Sequence, residues 1–163
     1  MDYKYKKICL GGTFDMPLHE GHKMFLETAP KIAYHFLVAI TSDERLKKHP
    51  KKHAVRPFPE RSRGMKEFYD ANDIDPERYE IEPLTGEVYN DHLMKPDCDI
   101  EAVLVSEETI RGAETINRER VKMGLKPFAV EVVQMVLAED GERISTSRVY
   151  KGEIDGGGKK LKV

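Results

Sequence analysis

The stretch GGTFDMPLHEGH, Gly11 to His22, joins a short apolar run to a segment of helical spacing. Gly11 and Gly12 carry no Cβ, so backbone there can approach a ligand closely. Thr13 offers a hydroxyl. His22 falls in the first turn of the expected helix, where free N–H groups and the positive end of the dipole attract anions. Together they make a phosphate cradle. Gly-Gly alone reads as a plain strand-to-helix turn. TFD followed by HxGH at such a junction is far more specific than either part. His19 and His22 do not form an HExxH metal pair, because Lys23 stands where the second histidine is required, and GxxxxGK[ST] is absent too.

Outward from this junction, five segments read as strands: Lys7–Gly11, His35–Thr41, Tyr79–Leu84, Ala102–Ser106 and Phe128–Ala138. They are mostly continuous apolar runs, the pattern of parallel strands covered on both faces. Three helices are expected between them, over Gly21–Ala33, Pro59–Ala71 and Glu114–Met123. Pro30 should kink or end the first, and Gly124 suits the stop after the third. Strand–helix alternation predicts an α/β, Rossmann-like, doubly wound sheet of about five parallel strands. Ligands of such sheets bind beyond the carboxyl ends of the strands. The loops expected there are Gly11–His22, Thr41–Pro57, Thr85–Pro96, Ser106–Ala113 and Ala138–Ser147. Residues 1–155 read as one domain and residues 156–163, GGGKKLKV, as a disordered tail.

The chain of 163 residues is 39% hydrophobic and 34% charged, a globular composition. A formal net charge of −2 provides no basic field for nucleic acid or lipid, so any anion must be held by local groups. No stretch approaches membrane-spanning length, and the first apolar run is too short for a signal-peptide core. Cys9 and Cys98 suggest neither a disulfide framework nor a zinc site. A cytoplasmic protein is expected, with no nucleic-acid or membrane partner. No heptads or long amphipathic seam argue for assembly, so a monomer is expected.

Near the other end, ISTSR, Ile144 to Arg148, crowds three hydroxyls at an expected helix start beside a fixed positive charge. Alone it reads as a Ser/Thr N-cap. Paired with the first motif, it resembles the ISSTR-type segment of the nucleotidylyltransferase superfamily, whose other mark is TFD followed by HxGH. Ser106–Phe128, Ala138–Asp155, Thr41–Lys48 and Val55–Arg63 are similar to segments of the archaeal type of phosphopantetheine adenylyltransferase, in that family's order. The resemblance covers Gly11 to Asp155. Two departures stand out. Met16, Pro17 and Leu18 put three residues between TFD and HxGH where the family has two, and ISTSR reverses Thr and Ser while keeping a hydroxyl at each place.

The resemblance implies transfer of the adenylyl group of ATP to 4′-phosphopantetheine, giving dephospho-coenzyme A and pyrophosphate, a step of coenzyme A biosynthesis. The attacking phosphate is already ionised, so catalysis should be positioning and charge stabilisation. By resemblance, His22 donates to the α-phosphate, a contact worth about 10²–10³ in rate. His19 contacts the triphosphate. Thr13, with the backbone of Gly12 and Phe14, orients the incoming phosphate. Ser145, Thr146, Ser147 and Arg148 grip the β- and γ-phosphates. Lys47 or Lys48 bridges the reacting phosphates. Arg111, Arg118 and Arg120 hold phosphate or adenine. Mg²⁺ accompanies ATP with few or no protein ligands.

Other residues read more plainly. Asp15 either touches substrate or turns its own loop. Glu107 and Glu108 either read a substrate amine or cap a turn. The basic run from Lys47 to His53 reads as a solvated loop at His49, Lys51, Lys52 and His53, and His35 reads as structural. Shared phosphate-gripping motifs do not identify acceptor or base. A cytidylyl or FMN adenylyl transferase on the same scaffold, or a non-catalytic nucleotide-binding module, are the alternatives.

Overall fold

Ile8, Cys9 and Leu10 lie at the centre of strand β1, Tyr5–Gly12, and all three are buried. Their side chains alternate between two cores. Ile8 and Leu10 join one cluster with Phe36, Val38, Ile40, Ala102 and Leu104. Cys9 joins the other with Leu37, Val103 and Val105. That division is why these strands read as unbroken apolar runs: both faces are covered. A computed structural model of the protein describes residues 2–134, 137–142 and 144–161, with the side chains of residues 146 and 147 left aside.

The remaining strands are β2 (Ala33–Thr41), β3 (Tyr79–Leu84), β4 (Ala102–Ser106) and β5 (Ala129–Val133). Every pairing is parallel, in the order β3-β2-β1-β4-β5. This is the expected doubly wound sheet, and its order reverses between β1 and β4. β5 stops five residues short of the expected end at Ala138. It pairs only with β4, and the register runs from Ala102↔Ala129 to Ser106↔Val133, where the partner strand ends. Part of the expected strand, residues 135 and 136, lies outside the described residues.

Helix α1, Glu20–Ile32, ends two residues after Pro30. Proline lacks the N–H that would reach the Leu26 carbonyl. The Tyr69 hydroxyl donates to that carbonyl instead, at 3.0 Å. Helix α2, Asp43–Lys48, lies in the segment expected as loop, and the Ser42 hydroxyl caps it by accepting the Arg45 N–H at 3.1 Å. Helix α3 covers Phe58–Ala71, as the spacing predicts within one residue. Helix α4, Ile110–Lys122, starts four residues before the expected Glu114, and Gly124 follows it with φ +76. Helix α5 is short, Thr146–Tyr150. Helices α1 and α3 supply Leu26, Ala29, Met65 and Tyr69 to the first core, and α4 supplies Ala113 and Ile116 to the second. No helix among the described residues is long and apolar enough to cross a membrane.

Residues 156–161, expected as a disordered tail, make defined contacts in this structure. They fold back on the molecule, with the Gly156 carbonyl accepting the Glu20 N–H at 2.9 Å and the Gly158 carbonyl accepting the Glu139 N–H at 2.8 Å. The glycines permit the turn: Gly158 sits at φ +85. Residues 162 and 163 lie outside the described residues.

Candidate active site

α1 begins with a histidine cap. His19 Nδ1 accepts the backbone N–H of His22 at 3.1 Å, satisfying one of the helix's free donors. An Nδ1 that accepts leaves the ring proton on Nε2. The two imidazoles then stack, with ring centroids 3.6 Å apart and planes 17° from parallel. Phe14 closes the other side, its ring edge-on to His22 at 5.7 Å and itself 3% exposed. Burial lowers the His22 pKa to about 3, and the neighbouring His19 lowers it further; burial likewise lowers His19 to about 4, against a smaller opposing pull from Glu20. Both rings are therefore neutral near pH 7, which is what lets them stack. His22 Nδ1 is buried without a hydrogen-bond partner.

These rings line a cleft of about 420 Å³ at the carboxyl ends of β1 and β4, where the strand order reverses. Gly12, Thr13, Phe14 and Asp15 line it from β1, and Ile144 and Ser145 line it from the opposite end of the chain. The two anion-holding turns expected from the sequence thus converge on one space. Close approach makes glycine necessary here. A Cβ on Gly12 would stand 2.8 Å from the Phe14 ring, and one on Gly21 would stand 2.9 Å from the His19 ring. Thr13 and Thr41 share a hydroxyl hydrogen bond at 3.3 Å across the floor. Asp15 is 4% exposed, and its Oδ1 accepts the amides of Met16 at 2.9 Å and Arg56 at 3.2 Å. It turns the loop and ties Arg56 to it while also lining the cleft.

Several expected residues stand elsewhere. Lys47 and Lys48 are exposed in the last turn of α2, outside the cleft; Lys51 and His53, read as a solvated loop, line it instead. Arg111 and Arg118 are exposed on α4 and do not line the cleft. Arg120 is buried and structural. Its guanidinium lies 3.9 Å from the Phe128 ring centroid, and it donates to the carbonyls of Lys126 and Leu93. Glu107 is exposed and does not line the cleft, whereas Glu108 and Thr109 do. Arg148 is held by Asp140 and, at 2.9 Å, by Glu153. It lines a second, adjoining cleft that shares Lys51 and Ser145 with the first. Ser145 Oγ accepts the Arg148 amide at 3.2 Å, so it also acts as the expected helix cap. The side chains of Thr146 and Ser147 lie outside the described residues.

Arg61 was not anticipated. It is fully buried and donates to the Arg56 carbonyl at 2.7 Å, the Thr13 carbonyl at 2.9 Å and Asp43 Oδ1 at 3.0 Å. Asp43 also accepts the Phe58 amide at 2.9 Å. One guanidinium thus pins the Thr13 turn and ties the start of α2 to α3, folding the segment between them back over the cleft. A signal did exist: Arg61, Met65 and Tyr69 recur at i, i+4, i+8, and the latter two are core residues. An arginine in register with an apolar stripe is a buried one. Arg120 carries the same signal, one helical face with Ala113 and Ile116.

A family model described as cytidylyltransferase-like matches residues 9–152. The phosphopantetheine adenylyltransferase of Pyrococcus abyssi is 33% identical over 159 residues, covering 98% of each chain. That of Methanosarcina acetivorans is 38% identical over 156 residues, covering 94% of each. Among solved structures, a protein of unknown function from Archaeoglobus fulgidus superposes with a TM-score of 0.65 at 32% identity, over 78% of this chain and 88% of that one. A tyrosyl-tRNA synthetase from Archaeoglobus fulgidus, 11% identical with a TM-score of 0.60 over 89% and 60%, shares the fold alone.

Proposed function

The chain belongs to the cytidylyltransferase-like family and, within it, to the phosphopantetheine adenylyltransferases, and from that premise we propose how its cleft transfers the adenylyl group of ATP to 4′-phosphopantetheine. The observation that carries the reading is the meeting of His22 and Ser145 in one cleft. A triphosphate laid across it would have its α-phosphate at α1 and its β- and γ-phosphates at the start of α5.

An oxygen of the acceptor's phosphate attacks the α-phosphorus. A new P–O bond forms on one side as the bond to the β-phosphate oxygen breaks on the other, and pyrophosphate leaves. No covalent enzyme intermediate and no general base are needed. The chain's work is to orient both phosphates and to stabilise the charge that grows between them. His22 is the donor to the α-phosphate, and His19 presents Nε2–H beside it. The neighbouring negative charge opposes the burial that keeps both rings neutral. Gly12, Thr13 and Phe14 place the acceptor phosphate. Ser145, Thr146 and Ser147 hold the leaving group. Lys51, not Lys47 or Lys48, is the lysine at the reacting phosphates, because it lines both clefts. Arg148 braces the Ser145 turn rather than binding phosphate directly.

Mg²⁺ enters with the nucleotide. It would be held mainly by phosphate oxygens and water, with few or no protein ligands. The protein acts as a monomer in the cytoplasm.

The test is pyrophosphate release with ATP or CTP against 4′-phosphopantetheine, a cytidylyl acceptor and FMN. Turnover with ATP and 4′-phosphopantetheine alone is expected. Preference for CTP or FMN moves the chain to another transferase of this scaffold, and no turnover with tight nucleotide binding makes it a binding module.

A further inference from the structure

We propose that the C-terminal turn, Gly156–Leu161, is a positioning element for the active site: it docks the Ser145 turn against the start of α1, and the two halves of the phosphate site stay aligned only while it is docked. The inference rests on the reading of the cleft as a triphosphate site.

The turn touches both halves. On one side the Gly156 carbonyl accepts the Glu20 amide at 2.9 Å. That amide is among the first N–H groups of α1, which have no acceptor within the helix. Glu20 is two residues from His22. On the other side Gly158 packs against the segment that leads into Ser145. A Cβ on Gly158 would stand 2.9 Å from Ala138 Cα and 2.9 Å from Ile144 Cδ1. The Ile144 carbonyl in turn lies 3.9 Å from where a Cβ on Gly21 would be. The contacts thus run from Ser145 through Ile144 to Gly158, and from Gly156 through Glu20 to the helix that carries His22.

The turn is itself well held. Ile154 is fully buried and forms a small core with Ala138 and Ile144, with Val149 packed against it. Ile154 and Lys160 form an antiparallel bridge. The Glu139 amide donates to the Gly158 carbonyl and the Asp155 amide to the Lys159 carbonyl, both at 2.8 Å. The Lys160 amide donates to Glu139 Oε2 at 2.9 Å. This cluster is separate from both cores of the sheet. Among the described residues, the Ser145 turn thus rests on this cluster and the C-terminal turn rather than on a core of the sheet. In-line transfer is sensitive to displacements of about 1 Å at the reacting groups. A docked turn that spans both halves supplies that alignment.

The experiment compares the full chain with one ending at Asp155, with Gly158→Val and with Lys159→Ala. For each, the KM for ATP, the KM for 4′-phosphopantetheine and the amide hydrogen exchange of Glu20, β1 and β4 are measured. Loss of docking should raise the KM for ATP about tenfold in the shortened chain and in Gly158→Val, with the KM for 4′-phosphopantetheine within about twofold. The Glu20 amide should exchange faster while β1 and β4 stay protected. Lys159→Ala, whose side chain is exposed, should match the full chain. If the shortened chain also loosens β1 and β4, the full-length Gly158→Val variant decides by the same two readouts. Wild-type ATP KM and Glu20 exchange in Gly158→Val overturn the proposal. So does Lys159→Ala reproducing the truncation, because the tail would then act by charge. A full chain with no adenylyl transfer refutes the functional reading separately, and Glu20 exchange still reports whether the turn docks.

Discussion

The start of α1 rests on the main core of the molecule, whereas the Ser145 turn rests on a cluster of three buried residues and their neighbours. Each half is braced by an arginine, in contrasting ways. Arg61, fully buried, holds the Thr13 carbonyl and Asp43. Arg148, at the surface, holds Asp140 and Glu153. In the proposed reaction the α-phosphate needs a fixed donor, which the half resting on the main core would supply. The leaving pyrophosphate would have to be gripped and then released, the task proposed for the half with the smaller core.

The difference can be broken or sharpened by measurement. The largest effect is expected at His22. His22→Ala should lower kcat by about 10²–10³, with less change in the KM for ATP and little change in Tm; a variant within about twofold of wild type would remove the proposed role. Next comes Arg61. Arg61→Met strands the Thr13 carbonyl and the Asp43 carboxylate, and should cost about 3 kcal/mol in denaturant unfolding, with the half-exposed Asp43 limiting the loss. An unchanged midpoint would mean that the brace is dispensable.

Acid should act on the α1 half selectively. The folded pKa values of His19 and His22 lie below the ordinary 6.5, so the neutral rings favour the folded state. That stability is fully present above pH 6.5 and is lost as pH falls toward 4 and then 3. Unfolding followed across this window should show the slope, and replacing both histidines by glutamine should flatten it. Bound ATP should raise both titrations, as followed by the ring NMR signals.

Smaller effects are expected at Lys51 and on the Ser145 side of the cleft. Lys51→Ala should lower kcat/KM about tenfold, while Lys47→Ala and Lys48→Ala stay within about twofold. Equal effects at all three would mean that a diffuse basic surface is at work. Ser145→Ala should raise the KM for ATP severalfold and leave kcat nearly unchanged, the reverse of the His22 pattern.

Much of this was legible in the residues. Unbroken apolar runs gave the parallel strands, since a strand covered on both faces has no polar alternation to show. The cradle at Gly11–His22 was legible because its parts are consecutive and a helix start fixes their geometry. Arg61 and Arg120 carried a readable sign, a charge in step with an apolar stripe, which their charge masked. Arg148 carried none. Whether an arginine beside three hydroxyls turns to phosphate or to Asp140 depends on the turn at Ala138–Glu142 that brings Asp140 to it. Lys47, Lys48 and Lys51 are alike in composition. What separates them is α2, which the Ser42 cap and the Arg61–Asp43 pair set in place so that the chain beyond it returns over the cleft.

The sequence by itself determined the sheet, its two covered faces and the two turns that line the cleft, because these follow from side-chain period and from short-range backbone chemistry. Only the tertiary structure decided which lysine reaches the cleft, which arginines are braces, and that the glycine-rich end packs beside α1. Those outcomes depend on contacts between residues tens of positions apart, and no local pattern encodes the direction from which a distant partner arrives.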